Sequence, residues 1–152
     1  MVERELEALI SEWDGSLLWR YTHLANAAAL LWSVTPTINW LGFYLADKTT
    51  NTLVLGPFQG KVACTQIPFG KGVCGTAALK KEAILVPDVH AFIGHIVCDS
   101  DSQSELVLPL LDSKGEVVGV LDIDSPIKNR FTNEDQVRYE RYASIISSAL
   151  WT

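Results

Sequence analysis

No stretch of this sequence is apolar enough to cross a bilayer. The longest early apolar run, Leu24 to Leu31, has eight residues and carries Asn26, against the roughly 20 that a spanning helix needs. A basic leader is missing as well, because Met1-Val2-Glu3-Arg4-Glu5 mixes charges ahead of any apolar run. A cytoplasmic location with no membrane contact is therefore expected. Clustered positive charge is absent: the net charge is -6 and the longest basic run is Lys80-Lys81. Nucleic acid is excluded as an expected partner, since phosphate backbones are held by basic patches. Cysteine is scarce and odd in number, with Cys64, Cys74 and Cys98 spaced ten and twenty-four residues apart. That count argues against a disulfide framework, and the spacing lacks the C-x-x-C pair that anchors structural zinc. A four-ligand set of the three thiols with His90 or His95 ranks below redox chemistry, so no metal is expected. Any pairing of the cysteines is expected to be transient.

What remains is an ordinary globular composition, 48% hydrophobic and 20% charged over 152 residues, enough for one core and one domain spanning 1-152. Apolar residues recur with helical spacing at Leu6, Leu9, Ile10 and Trp13, and again at Leu17, Leu24, Ala28, Leu31 and Trp32, with a break at Asp14-Gly15. Pro36 stops the helix, and 39-46 reads as an aromatic-rich strand turning at 47-52 into a second strand from Leu53. Five glycines punctuate 56-75, and Gly72 opens a short helix holding Cys74 in or near its first turn. After a strand at 83-87, the loop 88-103 carries His90, His95 and Cys98; a loop of that length is more often functional than idle.

Two strands follow, joined by the turn at 112-115. The period of two sets Leu106, Leu108 and Leu110 on one face of the first and Glu105 with Val107 on the other. On the second it sets Val117, Leu121 and Ile123 together, opposite Asp122 and Asp124. Three carboxylates thus fall on one side of adjacent strands. A last helix is capped by Thr132 and packs through Tyr142, Ile145, Ile146 and Ala149. The order of elements describes an α+β fold, a central antiparallel sheet with helices on one face and a loop-covered pocket on the other.

Reversible thiol chemistry needs one thiolate to attack and a second thiol to capture the oxidised product. Cys98 lies at a polar loop end, Cys64 at a strand end near Lys61, and Cys74 at a helix start whose backbone N–H groups favour a thiolate. On spacing alone, burial as three small hydrophobes is the stronger reading. Glu105, Asp122 and Asp124 would raise one another's pKa values by repulsion, making a proton donor and an anchor for an ammonium group; by themselves they read equally as a solvated strand face. Trp40 and Tyr44 share a face and suit either a pocket wall or the core. Spacing forces no role on His90 or His95, for which a loop-ordering hydrogen bond is expected.

The segments NWLGFYL, LGPFQGKVACTQIPFGKGVCGTAA, VPDVHAFIGHIVCDSDSQSELVLPL and VVGVLDIDS resemble the signature stretches of the free methionine-(R)-sulfoxide reductases, which are built on a GAF domain. The resemblance is specific, with each cysteine inside its own matching stretch, and it extends into both terminal helices. It implies a GAF-like fold and a thioredoxin-dependent oxidoreductase that needs no cofactor. Cys98 would attack free methionine-(R)-sulfoxide, Cys64 would resolve the product, and Cys74 would be a second resolving or auxiliary thiol. Glu105, Asp122, Asp124, Trp40 and Tyr44 would bind substrate, and a thioredoxin-like protein would be the reducing partner. Of the two acids that follow Cys98, Asp99 and Asp101, the second stands where the family carries a small residue, and slower attack is expected unless a cation or amide compensates it. The rival reading is a GAF sensor that binds a small molecule without turning it over. It shares the fold but needs something to regulate, and a chain ending at Thr152 is expected to carry no output domain. Apolar residues on the N-terminal helices near Trp13, Trp19 and Trp32 make a homodimer a candidate assembly.

Overall fold

The computed structural model describes residues 1–151; Thr152 lies outside the described residues. Four helices, α1 (Val2–Leu9), α2 (Leu17–Val34), α3 (Gly72–Lys80) and α4 (Asn133–Leu150), accompany six strands: β1 (Trp40–Asp47), β2 (Thr52–Gly60), β3 (Gln66–Pro68), β4 (Ile84–Val86), β5 (Ser104–Leu111) and β6 (Val117–Ser125). The strands form one antiparallel sheet in the order β3-β2-β1-β6-β5-β4. None of the described helices is long and apolar enough to cross a membrane.

Alternation along the central strands divides the molecule into two cores. Leu41 and Phe43 of β1, Leu106, Leu108 and Leu110 of β5, and Leu121 and Ile123 of β6 face α1, α2 and α4, with Leu24, Leu31, Tyr142 and Ile146 packed on them. The opposite face carries Trp40, Tyr44, Val107 and Val120 and is covered by α3 and the loops. The long helices thus share one face as expected, while α3 sits on the pocket face. Helix α4 starts with a capping box: Thr132 accepts from the Asp135 backbone N–H, and Asp135 accepts from that of Thr132, closing two otherwise open donors.

Val117 departs from the simple alternation. Leu110 pairs with Gly119, but Leu111 pairs with Val117. This bulge adds a residue on β6 and reverses the side-chain parity beyond it. Val117 therefore joins Val120 in the pocket-side core, and Val118 takes the helix-side position. A second irregularity, between Gly42 and Tyr44 of β1, leaves Gly56 and Pro57 outside the paired register of β2, which is where an inner strand tolerates proline.

The aromatic cluster expected on the N-terminal helices is only partly exposed. Trp13 and Trp32 pack against the helix-side core, and Arg20 lies over both Trp13 and Trp151. Leu9, Leu17, Leu18, Trp19, Tyr21 and Val34 are the exposed large apolar side chains of these two helices.

Gly75 lets α3 approach the sheet edge. A methyl group at this position would run into the Pro68 carbonyl and crowd the Gly70 nitrogen. Gly75→Ala should therefore destabilise the protein by about 1–3 kcal/mol through overpacking, although alanine is the better helix former. Thermal denaturation should show a Tm lower by at least roughly 2 °C; an unchanged or higher Tm would contradict this packing.

Candidate active site

The three central strands bring the acids together. Asp124 on β6 lies between Trp40 of β1 and Glu105 of β5, and Asp122 lies between Gly42 and Val107. All three carboxyls line a cavity on the α3 side of the sheet, whose walls also include Tyr44, Cys74, His95, Cys98, Asp99 and Ser102. A side chain at Gly42 would collide with Phe58 and with the Trp40 ring. The bare backbone there allows Trp40 to stack between Tyr44 and Phe58, at 5.8 and 5.2 Å between ring centroids.

The acids are not a solvated strand face. Glu105 and Asp122 are 6% and 5% exposed, and Asp124 is partly buried. Burial pushes each carboxyl well above its usual range, and repulsion among the acids adds to it, from Asp124 on Glu105, from Glu105 on Asp122 and from Asp122 on Asp124. The sequence pointed to repulsion as the cause, but desolvation comes first. Among the described residues no lysine or arginine lines the cavity, so the cluster is made tolerable by a shift toward the protonated forms.

Cys64 and Cys98 are joined in a disulfide, with Cα atoms 5.4 Å apart. Cys64 lies in the loop between β2 and β3 and not at a strand end. Tyr44 Oη donates to the Cys64 carbonyl at 3.0 Å, and Trp40 Nε1 donates to the Lys61 carbonyl at 3.1 Å. The two cavity aromatics thereby anchor the Cys64 loop. Asn39, just before β1, performs the same task for the Cys98 loop, donating through Nδ2 to Asp99 Oδ2 and Ser102 Oγ, both at 3.0 Å. The departure from the family pattern, Asp101, has a cation beside it: Lys61 Nζ lies 2.8 Å from its Oδ2, linking the two cysteine loops.

Cys74 behaves otherwise than its helix position suggested. It occupies the first turn of α3 but is buried and unpaired, with Sγ 3.8 Å from Glu105 Oε2. Burial, followed by the charges of Asp122 and Glu105, pushes this thiol well up, outweighing the pull of the helix N-terminus. At neutral pH it is a thiol, not a thiolate.

Sequence reasoning missed three contributors. His95 lines the cavity with Nε2 3.7 Å from Glu105 Oε1, and burial lowers its pKa. Asp99 and Ser102 also line the wall. The signal available for these was their position within the one long loop. His90, by contrast, is exposed beyond the cavity wall.

The displaced pKa values have a thermodynamic consequence. Unfolded, Glu105 ionises near about pH 4.3; folded, it holds its proton to higher pH. Between those two points the native state binds more protons than the unfolded state, so stability falls as pH rises. Glu105→Gln carries no such loss. Its Tm should exceed that of the parent protein at pH 8 and match it near pH 4; a gap of equal size at both pH values would contradict the raised pKa.

The sequence and fold have counterparts among known proteins. The GAF domain profile matches residues 13–150. The free methionine-R-sulfoxide reductase of Escherichia coli is 50% identical over 129 residues, covering 85% of this chain and 76% of that protein. Its namesake in Saccharomyces cerevisiae is 46% identical over 141 residues, covering 90% and 78%. The X-ray structure of free methionine-R-sulfoxide reductase from Neisseria meningitidis in complex with its substrate superimposes with a TM-score of 0.90 at 40% identity, covering 99% of this chain and 90% of that one. A GAF profile across nearly the whole length, together with relatives of this similarity, means that the chain belongs to the GAF domain family and, within it, to the free methionine-R-sulfoxide reductases.

Proposed function

We propose that this protein reduces free methionine-(R)-sulfoxide to methionine, with Cys98 as nucleophile, Cys64 as resolving thiol and the buried acids as proton donor and substrate anchor. The observation that carries the reading is the Cys64–Cys98 disulfide in the wall of a cavity lined by Glu105, Asp122 and Asp124.

In the reduced enzyme, Cys98 thiolate attacks the sulfoxide sulfur while a protonated carboxyl delivers its proton to the oxygen. Glu105 suits that task, because burial makes its carboxyl hold a proton to higher pH than an ordinary glutamate. The sulfoxide oxygen moves to Cys98 as a sulfenic acid, and methionine leaves reduced by two electrons. Cys64 then attacks the Cys98 sulfur, water departs and the disulfide forms. A thioredoxin-like dithiol returns both thiols by exchange. The substrate's ammonium group fits an ionised acid of the cluster, and its methyl end fits the Trp40–Tyr44 wall. Cys74, buried and protonated, suits neither attack nor resolution, which favours Cys64 for the second step.

A thioredoxin-coupled NADPH oxidation assay on the free (R) sulfoxide, the (S) epimer and a peptide-bound sulfoxide tests the reading. Turnover is expected for the free (R) form and should vanish in Cys98→Ser. Glu105→Gln should lower kcat about 100-fold or more, within the usual range for loss of a general acid. Turnover in the absence of Cys98 would remove the nucleophile, and no turnover of any sulfoxide would favour a ligand-binding GAF module.

The Lys61–Asp101 pair permits a separate check. Removing Lys61 leaves Asp101 uncompensated near Cys98, which disfavours the thiolate. Lys61→Met should slow alkylation of reduced Cys98 by iodoacetamide several-fold at low ionic strength. The difference should shrink in about 1 M salt, where the Debye length is roughly 3 Å; a salt-independent difference would point away from charge.

A further inference from the structure

The reaction leaves one buried group of the cavity unused. Cys74 Sγ, a Glu105 oxygen and an Asp122 oxygen lie within 4.8 Å of one another. The Sγ to Glu105 Oε2 distance of 3.8 Å is close to the edge of about 3.5 Å for a tetrahedral zinc site with bonds of roughly 2.0–2.3 Å. Independently of that cluster, Asp122 Oδ1 is buried with no hydrogen-bond partner, on a side chain that is 5% exposed and lines the cavity. A buried acceptor without a donor is costly and is satisfied by whatever positive group enters.

Charge points the same way. Asp99, Glu105, Asp122 and Asp124 all line the cavity, with His95 as the only basic side chain. An amino-acid substrate brings one ammonium group along with a carboxylate, whereas a divalent cation can take the place of protons on several of these groups at once. The thiol narrows the choice, since sulfur selects zinc-like ions over magnesium or calcium.

We propose that the cavity, when free of substrate, binds a borderline-soft divalent cation such as Zn²⁺ through Cys74 Sγ, Glu105 and Asp122. His95 Nε2, 3.7 Å from Glu105 Oε1, can supply a fourth, neutral nitrogen donor. Binding forms a zinc–sulfur bond and zinc–oxygen bonds, releases to solvent the Cys74 proton and whichever protons Glu105 and Asp122 carry, and transfers no electron. Cation and substrate exclude one another because both need Glu105 and Asp122. That exclusion rests on the proposed substrate reading; the cation site itself does not.

The test uses a Cys64→Ser/Cys98→Ser variant, in which Cys74 is the only thiol, with Co²⁺ as the spectroscopic probe. One equivalent should bind and give a near-ultraviolet thiolate-to-cobalt band, displaced by Zn²⁺ but not by an excess of Mg²⁺. Adding Cys74→Ser should abolish the band. Asp122→Asn on the same background should weaken binding at least tenfold, with circular dichroism reporting whether each variant is folded. No band, a band that persists without Cys74, or an affinity unchanged by Asp122→Asn would overturn the site. Free methionine-(R)-sulfoxide, which this variant does not turn over, should displace the cobalt. A cysteine-dependent band indifferent to the sulfoxide would uphold the cation site and overturn the shared role of Glu105 and Asp122.

Discussion

Carboxyl groups buried beside one another without a cationic partner are the constraint on which the rest of this site depends. Moving an ionised carboxylate out of water is expensive, and two neighbours multiply the cost. The fold meets that cost by shifting the acids toward their protonated forms, and a carboxyl that holds its proton more tightly is what a departing oxide needs. The unfavourable burial of Glu105 and Asp122 and their suitability for proton transfer have one origin. Stability given up on the pocket face is supplied by the leucine-rich core on the helix side.

The sheet and the loops divide the work. Paired strands hold the acids at fixed register, giving them precise mutual positions. The sulfur atoms that must approach and separate belong to loops. Those loops are nevertheless tied to the sheet by Trp40, Tyr44 and Asn39, whose polar ends reach the Cys64 and Cys98 segments. The same aromatics wall the cavity, so positioning of Cys64 and shaping of the pocket depend on the same two side chains.

Much of this was legible in residue order. A period of two is enough to put Glu105, Asp122 and Asp124 on one face and Leu106, Leu108 and Leu110 on the other, because backbone pleating obliges it. The same rule placed Val117 wrongly, since a bulge is a property of two strands together and leaves no local mark on one. Cys74 shows a related failure: helix position pointed to a thiolate, yet the acids that reverse the effect arrive from β5 and β6, about 30 and 50 residues further along the chain. His95 and Asp99 lie in a loop without periodicity, where spacing carries no information on direction.

Sequence by itself determined the alternation that sorts apolar from acidic faces, the helix ends at Pro36 and Thr132, and the family motifs around each cysteine. These are local properties, set by side-chain chemistry and backbone geometry over a few residues. Tertiary structure alone decided which thiol is sealed among carboxyls and that the acids are buried instead of solvated, and it gave the Cys64–Cys98 pairing its geometry. Each of those outcomes depends on the dielectric and charge created by residues distant in the chain, and pKa responds to that surrounding field far more than to sequence neighbours.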